Sequence, residues 1–323
     1  GDEKSSYDPG YRPLQDEDFE ALSKAEVFEI ANDMQDSRLS LAGAQSKTGW
    51  FLPRGKDAKK AGSGDWMLPL GSAPSTHIVK IASTKHPDLP FNELICMTAA
   101  SAAGLEIARS EASDTIPGAF FSERYDRIWS NEPPSMSGFD VPLRLHQEDF
   151  CQAVGWPSYM KYETRPDSCY MALCGRLIRE QSSNVIADTQ MFARQVMVDY
   201  ALGNCDSHLK NHSFLYSPSW REKRLAPAYD IVCTTIMGYD HNLGIDIGDH
   251  RVIDGVTPED FEFMSQDLHL PLKMIKNIAA EVAEEVSAQL AELASATGDL
   301  GRVALKIQTD SVERMRVLEQ FSA

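Results

Sequence analysis

The sequence predicts an α+β fold in two lobes, a small β-rich lobe followed by a larger helical one. Two apolar runs of strand length, His77–Ile81 and Gly118–Phe121, lie in the first half of the chain. Long helical periodicities follow at Asp188–Leu202, Pro271–Thr297 and Leu300–Phe321. We therefore expect an N-terminal extension over residues 1–36, a β-rich lobe over 37–127 and a helical lobe over 128–323.

The predicted β-rich lobe begins after a polar, proline-containing segment, residues 1–15, which we expect to be flexible. From Leu39 to Phe51, small residues are flanked by apolar ones, a composition that lets backbone N–H groups approach phosphate oxygens. Lys80 lies inside an apolar strand and needs an anionic partner there. A plain β-hairpin explains the first segment equally well, and a snorkelling edge-strand lysine is the alternative for Lys80.

A helix is predicted near Phe91–Gly104, with the glycine as its C-terminal stop. Glu93, in its first turn, either reaches Lys80 or only complements the helix dipole. The strand at Gly118–Arg127 runs from apolar residues into charged ones. Such a strand suits a hinge between two lobes, where backbone groups would meet an adenine base.

The helical lobe contains a buried helix, Asp188–Leu202, with Asp188 as its expected N-cap. Gly203 ends this helix, a polar loop extends to Asn211, and Ser213–Tyr216 is strand-like. A helix also starts within Glu148–Ala153, and residues 157–166 form a polar excursion. Residues 130–142 are expected to be an irregular connection. One face of the helix at 271–297 should be core: Leu272, Ile275, Ile278, Ala279, Val282, Val286 and Leu290.

The main chemical constellation consists of Asp206, Asn211 and Asp230. In-line phosphoryl transfer needs a base near the attacking oxygen and hard oxygen ligands for Mg²⁺. Asp206 suits the base, whereas Asn211 and Asp230 suit the metal. Asp and Asn also satisfy backbone amides in turns, so a capped surface turn is the alternative. Helix, polar loop, strand, turn and then aspartate is the order found in protein-kinase-like sites, which predicts a phosphotransferase.

Composition narrows the class of protein further. The chain has 323 residues, 42% of them hydrophobic, enough for a large core, and no apolar run approaches a membrane span. We expect a cytoplasmic protein whose six cysteines are reduced packing residues. A net charge of −17 argues against direct nucleic-acid binding, so the basic loops Arg54–Lys60 and Ser219–Arg224 are predicted to be solvated tips.

Six ordered blocks of the sequence resemble the HipA family of serine/threonine kinase toxins. The blocks are Ser40–Thr48, Thr76–Lys80, Glu123–Arg127, His146–Ala153, Asn204–Asn211 and Ala228–Asp230, and the resemblance spans residues 37 to 290. It implies a HipA-like, two-lobed protein-kinase fold that uses ATP and Mg²⁺. Asp206 would be the catalytic aspartate and Lys80 the phosphate lysine, with Asn211 and Asp230 as magnesium ligands.

The same resemblance implies further nucleotide-binding residues and an off-switch. The implied phosphate loop comprises Ala42, Gly43, Ala44, Gln45, Ser46 and Lys47. The implied adenine and nucleotide contacts are Glu123, Arg124, Tyr125, His208, Lys210 and Tyr229. Ser40 matches the family's inactivating autophosphorylation site, with Ser46 as a weaker candidate. A phosphate there would face the ATP phosphates or the acidic metal site, so expulsion of the loop is a reasonable consequence.

The resemblance also implies partners. A small helix-turn-helix antitoxin would carry any contact with DNA, and the substrate would be a protein such as an aminoacyl-tRNA synthetase. Family members begin with an additional small subdomain, whereas only 39 residues precede Ser40 here. Three explanations stay open: a short form whose subdomain is a separate small protein, a truncated or processed chain, or a relative with another function. A toxin-derived scaffold or co-repressor and a small-molecule kinase are the alternative functions.

Overall fold

The structure is a computed structural model that describes residues 9–15, 18, 47–82, 87–164 and 168–323. The described strands are β1 Gly10–Pro13, β2 Lys47–Trp50, β3 Met67–Leu70, β4 His77–Ile81, β5 Ser110–Ala112, β6 Ala119–Glu123, β7 Arg127–Ile128, β8 Ser135–Met136, β9 Phe139–Asp140, β10 Leu143–Arg144, β11 Gln147–Asp149, β12 Ser213–Tyr216, β13 Lys223–Leu225, β14 Asn242–Ile247 and β15 His250–Val252. The described α-helices are α1 Leu89–Ala102, α2 Phe150–Ala153, α3 Tyr170–Gln181, α4 Val185–Leu202, α5 Pro258–Leu268, α6 Leu272–Ala294 and α7 Gly298–Ser322.

The chain divides into two compact units. The first contains the described residues up to Leu94 together with Ala108–Leu145. The second contains Ile95–Ile107 together with His146–Ala323, so the division runs through α1. The three-part division expected from the sequence, 1–36, 37–127 and 128–323, stays a prediction.

A four-stranded antiparallel sheet organises the first unit, in the order β2-β4-β6-β5. Because side chains alternate along a strand, Val79 of β4 faces the apolar core while Lys80 faces the opposite side. The core contains Trp50, Trp66 and Phe121, and the last two stack with ring centroids 4.5 Å apart. The lysine predicted for a strand therefore lies in an interior strand, and the edge-strand alternative is wrong.

Residues 127–144 are more regular than expected. The sequence suggested an irregular connection over 130–142, but β8 and β9 pair as a hairpin, and β7 pairs with β10. The hairpin turn places Ser137 at φ 51° and Gly138 at φ 82°, left-handed values that suit a tight reversal. Because this segment is polar, its sequence lacks the apolar alternation that would indicate these two very short strand pairs.

Helix α4 forms the buried centre of the second unit, and α6 and α7 pack against it and against each other. Twelve of its eighteen residues are buried, four of them polar or charged, so the helix is enclosed over most of its surface. Its predicted N-cap is wrong, because the helix begins at Val185 and Asp188 lies in its first turn. The buried Asp188 carboxylate instead accepts bonds from the Arg224 guanidinium, at 2.8 Å, and from the backbone N–H of Leu225.

The two C-terminal helices and the strand after the polar loop confirm the sequence analysis. Strand β12 has the predicted bounds, and α6 and α7 cover most of the two predicted periodic segments. The predicted core face of α6 is buried except for Leu272, which is 39% exposed at the first position of the helix. Asp149 caps α2 by accepting the backbone N–H of Gln152 at 2.9 Å.

No helix in the described part of the chain is long and apolar enough to span a membrane. The six cysteines are free thiols, five of them buried, and burial raises the pKa of Cys205 to about 11. Cys169 is the exception to the expectation that all are packing residues, because it is exposed and caps α3.

Candidate active site

Gly203 turns the chain from α4 into the polar loop that ends at Asn211. Its φ of 74° is left-handed, and a Cβ atom would overlap Oγ1 of Thr235 and lie 2.8 Å from the Arg314 guanidinium. Only glycine meets both conditions without strain. The loop therefore leaves the helix in a fixed direction.

The buried carboxylate of Asp199 fastens this loop to the last turn of α4. It accepts hydrogen bonds from the side-chain amide of Asn204, at 2.8 Å, and from the hydroxyl of Ser207, at 2.6 Å. Burial raises the pKa of Asp199 to about 7, although both hydrogen bonds oppose the rise. The sequence analysis did not select Asp199, because it treated this helix as an apolar core element.

Asp206 is the side chain that the loop presents to solvent. Its side chain is 55% exposed, whereas Asn204, Cys205 and His208 are buried on either side of it. The carboxylate Oδ1 accepts a hydrogen bond from the hydroxyl of Tyr162 at 2.5 Å. An accessible carboxylate on an otherwise anchored loop has the placement that a base for an incoming hydroxyl needs.

Asn211 is held so that its carbonyl oxygen remains available. The side chain is buried, and Nδ2 donates to the backbone carbonyl of Asp206 at 2.8 Å. Because the amide nitrogen is used in this way, Oδ1 is the acceptor left on the side chain. This contact also brings together two of the three residues that the sequence predicts for phosphotransfer.

Asp230, the third predicted residue, has φ 60°, a left-handed value that Asp adopts more readily than most residues. The strain of such a conformation is often found at functional sites. Its negative charge acts on the His208 imidazole, as does that of Asp206, whose Oδ1 lies 4.0 Å from Nε2 of this ring. The second unit thus gathers Asp206, Asn211 and Asp230 around the loop.

Two buried histidines of this region, His208 beside Asp206 and His212 beside Ser207, add no positive charge. Burial lowers the pKa of His208 to about 4, although the charges of Asp206 and Asp230 oppose that effect. Burial lowers the pKa of His212 to about 3, with a further contribution from His208. Both imidazoles are neutral at pH 7, so neither offsets the carboxylates.

Lys210 and Tyr229 connect the loop to the small sheet β11-β12-β13. The Lys210 ammonium donates to Asp149 at 2.6 Å, and Asp149 is the residue that caps α2. The Tyr229 hydroxyl donates to the backbone carbonyl of Lys210 at 2.7 Å and shares a hydrogen bond of the same length with Ser213. Both residues, expected near nucleotide, hold the loop in place.

In the first unit, the predicted pair of Lys80 and Glu93 forms. The Lys80 ammonium lies 2.6 Å from Oε2 of Glu93, and both side chains are more than nine-tenths buried. Lys47 of β2 stands directly opposite Lys80 in the strand register, which puts both side chains on the same face of the sheet. This face of the sheet therefore carries both lysines, with the Glu93 carboxylate at the Lys80 ammonium.

The segment expected to meet adenine, Glu123 to Tyr125, is bound tightly into its own unit. The backbone N–H groups of Glu123 and Arg124 donate to the carbonyls of Arg109 and Thr76 at 2.7 and 2.9 Å. The Arg124 guanidinium forms two hydrogen bonds to Asp126, at 2.8 and 2.9 Å. The Arg124 side chain is thus engaged in a structural ion pair.

Several predicted residues lie outside the described ranges. These are Ser40 and the phosphate-loop residues Ala42, Gly43, Ala44, Gln45 and Ser46. Within the described ranges, no cluster of three His, Cys, Asp or Glu side chains forms a candidate metal site. The predicted magnesium ligands differ from such a cluster, because one of them is an asparagine.

The basic loop Arg54–Lys60 is paired with nearby acidic residues. Lys56 lies 2.9 Å from Asp65, and Lys60 lies 3.5 Å from Asp57, with all four side chains exposed. Solvent-exposed pairs of this kind contribute little to stability. Their exposure agrees with the prediction of a solvated tip.

Comparison with solved structures identifies the fold. HipA of Shewanella oneidensis, solved in a complex with HipB and operator DNA, matches with a TM-score of 0.75 at 23% identity, covering 99% of this chain and 76% of that one. The proinflammatory kinase CtkA of Helicobacter pylori matches with a TM-score of 0.50 at 11% identity, over 76% of this chain and 90% of that one. The protein therefore has the α+β, kinase-like fold of HipA, which confirms the predicted fold class.

Comparison of sequences leads from the fold to a family. The HipA-like C-terminal domain model matches residues 39–290, and the chain belongs to that family. It is 27% identical over 299 residues to Y4mE of Sinorhizobium fredii, a kinase by name, which covers 89% of this chain and 67% of that protein. It is 28% identical over 273 residues to the serine/threonine-protein kinase toxin HipA of Shewanella oneidensis, covering 79% of this chain and 57% of the toxin.

Proposed function

We propose that the protein is an ATP- and Mg²⁺-dependent serine/threonine protein kinase of the HipA kind. The observation that carries the proposal is the loop Gly203–Asn211, in which buried, hydrogen-bonded residues surround the accessible carboxylate of Asp206. Family membership supports the same chemistry, because named relatives include kinases.

In the proposed reaction, Asp206 accepts the proton of a serine or threonine hydroxyl. The hydroxyl oxygen forms a bond to the γ-phosphorus of ATP, the bond from that phosphorus to the bridging oxygen breaks, and ADP leaves. Little covalent chemistry is asked of the protein in such a transfer, so the position of Asp206 is its main contribution.

Asn211 and Asp230 are the proposed magnesium ligands. Mg²⁺, when bound, would neutralise negative charge on the phosphates of ATP. The Asn211 side chain retains a carbonyl oxygen because its nitrogen is bonded to the Asp206 carbonyl, and Asp230 supplies a carboxylate. The His208 imidazole, on which the charges of Asp206 and Asp230 both act, is neutral at pH 7 and adds no positive charge to the proposed metal site.

Lys80 is the proposed phosphate lysine, supported by Lys47 across the sheet. Like charges directly opposite each other in a sheet are destabilising. Glu93 pairs with Lys80, and a nucleotide phosphate would add negative charge to the face that the two lysines share. The adenine role of Glu123–Tyr125 and the phosphate loop from Ala42 to Ser46 remain parts of this proposal that rest on the family resemblance.

The proposed substrate is a cellular protein, with an aminoacyl-tRNA synthetase as the first candidate to test. We also propose that Ser40 is the site of inactivating autophosphorylation. A small helix-turn-helix antitoxin is the proposed partner, since HipA of Shewanella oneidensis was solved with HipB and operator DNA. The net charge of −17 supports contact with DNA through a basic partner rather than through this chain.

Radiolabelled ATP and phosphosite mapping test the proposal directly. We expect the protein to become phosphorylated in the presence of Mg²⁺, mainly on Ser40, and the variant Asp206→Asn to incorporate no phosphate while keeping the same circular dichroism spectrum. Phosphate that reached an added small alcohol but no protein would support a small-molecule kinase instead. A protein that bound a helix-turn-helix partner but no ATP would be a scaffold.

A further inference from the structure

Tyr162 contacts the proposed base directly, although nothing in the sequence motifs marks it. Its hydroxyl donates to Oδ1 of Asp206 at 2.5 Å, across 44 positions of sequence. Both residues belong to the second unit. Burial and the negative charge of Asp206 raise the pKa of Tyr162 well above its ordinary value, so the phenol keeps its proton and acts as the donor.

The residue before Tyr162 is anchored to the polar loop itself. The carbonyl of Lys161 accepts the backbone N–H of Leu209 at 3.1 Å. The Lys161 ammonium lies 4.7 Å from the centroid of the Tyr162 ring, and the ring of His208 meets it edge-on at 4.9 Å. Backbone and ring contacts therefore fix the phenol relative to the loop that carries Asp206.

The residue after Tyr162 is anchored still more firmly. The backbone N–H of Glu163 donates to the carbonyl of Gly244 at 3.0 Å. Its carboxylate is 3% exposed and accepts the backbone N–H groups of Tyr170, at 2.9 Å, and Asp246, at 3.0 Å. The backbone of Tyr162 is therefore held on both sides, which fixes the point from which its side chain reaches Asp206.

The contact leaves one carboxylate oxygen of Asp206 for other chemistry. Among the residues that the structure describes, none donates a hydrogen bond to Oδ2, and the side chain is 55% exposed. A solvent-exposed carboxylate with no partner samples several rotamers, whereas a short hydrogen bond to a phenol on an anchored backbone restricts it. Restriction of this kind lowers the entropic part of a reaction barrier.

We propose that Tyr162 is a positioning residue of the phosphotransfer site, which holds Asp206 by Oδ1 so that Oδ2 accepts the proton of the substrate hydroxyl. The inference rests on the proposed kinase function. If the phenol only occupied the place of a substrate hydroxyl, it would inhibit phosphate transfer. Removing it would then raise the rate of transfer.

The test compares Tyr162→Phe with Tyr159→Phe, which removes a hydroxyl from an 82% exposed tyrosine three residues earlier. We expect kcat for phosphate transfer from ATP to fall roughly 10- to 100-fold in Tyr162→Phe, with little change in the KM for ATP. Tyr159→Phe should match the wild type. Tyrosine labelled with carbon-13 at Cζ gives a second measurement that needs no turnover: in Asp206→Asn the resonance of Tyr162 should move while other tyrosine resonances stay.

The outcomes separate the proposals. A Tyr162 resonance unaffected by Asp206→Asn would overturn the positioning role, since the contact would then be absent in solution. An unchanged or higher kcat in Tyr162→Phe would also overturn it, although the kinase function would stand. A wild-type protein that transfers no phosphate, whatever the resonance shows, would overturn the kinase function and the role of Tyr162 with it.

Discussion

Asp199→Asn tests the electrostatics that hold the polar loop Gly203–Asn211. The carboxylate of Asp199 is 4% exposed, and its two hydrogen-bond partners, Asn204 and Ser207, are both neutral. Burial without a cationic partner raises its pKa from the ordinary value of 3.8 to about 7. Asparagine keeps the size of the side chain and one acceptor but cannot ionise.

The raised pKa fixes the sign of the effect. Between the two pKa values the folded protein holds a proton that the unfolded chain has lost, so the free energy of unfolding falls as pH rises through this range. For pKa values of 3.8 and about 7, the full effect is about 4 kcal/mol, of which about 2.5 kcal/mol lies between pH 5 and pH 8. Asp199→Asn should lose this part of the pH dependence.

Urea denaturation at pH 5 and pH 8 measures the effect. The free energy of unfolding of Asp199→Asn, minus that of the wild type, should increase by about 2.5 kcal/mol between these pH values. Glu284→Gln, at an exposed position of α6, controls for the loss of a carboxylate elsewhere in the same unit. A difference that stayed constant with pH, or decreased, would refute the claim that Asp199 is protonated by burial.

Two other predictions concern the packing of the site. In Gly244→Ala, a Cβ atom would lie 2.5 Å from the carbonyl oxygen of Ser207, so the loop must shift. Initial rates of phosphotransfer should fall at least about tenfold. Gly64→Ala is the neutral control, because a Cβ atom there meets nothing within 4 Å. In Glu93→Gln, the buried Lys80 ammonium loses the negative charge 2.6 Å away, and denaturation should show a free energy of unfolding lower by about 3 kcal/mol. Removing the exposed pair by Lys56→Met should cost less than about 1 kcal/mol, and equal losses in the two variants would contradict the argument.

Local patterns predicted much of the fold. The bounds of β12 and the extents of α6 and α7 follow from apolar periodicity, because these elements bury one face or stripe. Lys80 and Glu93 were predictable as a pair because a lysine in an apolar strand requires an anion, and the helix after the strand offered one. The N-cap error at Asp188 has a physical cause: its carboxylate has a better partner in Arg224, 36 residues away, than in a helix terminus.

The residues that the sequence did not reveal act through contacts distant in sequence. Asp149 reaches Lys210 across 61 positions, and Tyr162 reaches Asp206 across 44. Tyr162 was part of a segment expected to be a polar excursion, and no periodicity or spacing marks a tyrosine whose neighbours are tied to other strands and loops. Such contacts depend on tertiary structure, so a motif can indicate Asp206 as a candidate base but not the side chains that contact it.

The same electrostatics bear on the proposed magnesium site of the loop Gly203–Asn211. His208 and His212 are neutral at pH 7 because burial lowers their pKa values, and the Lys210 ammonium is paired with Asp149. The carboxylates of Asp206 and Asp230 therefore have no imidazolium beside them to compensate their charge. Repulsion between these carboxylates and the phosphates of ATP would oppose binding unless a divalent cation came with the nucleotide. Nucleotide affinity at the second unit should thus depend on Mg²⁺ more steeply in the wild type than in Asp230→Asn, where one of the two opposing charges is gone.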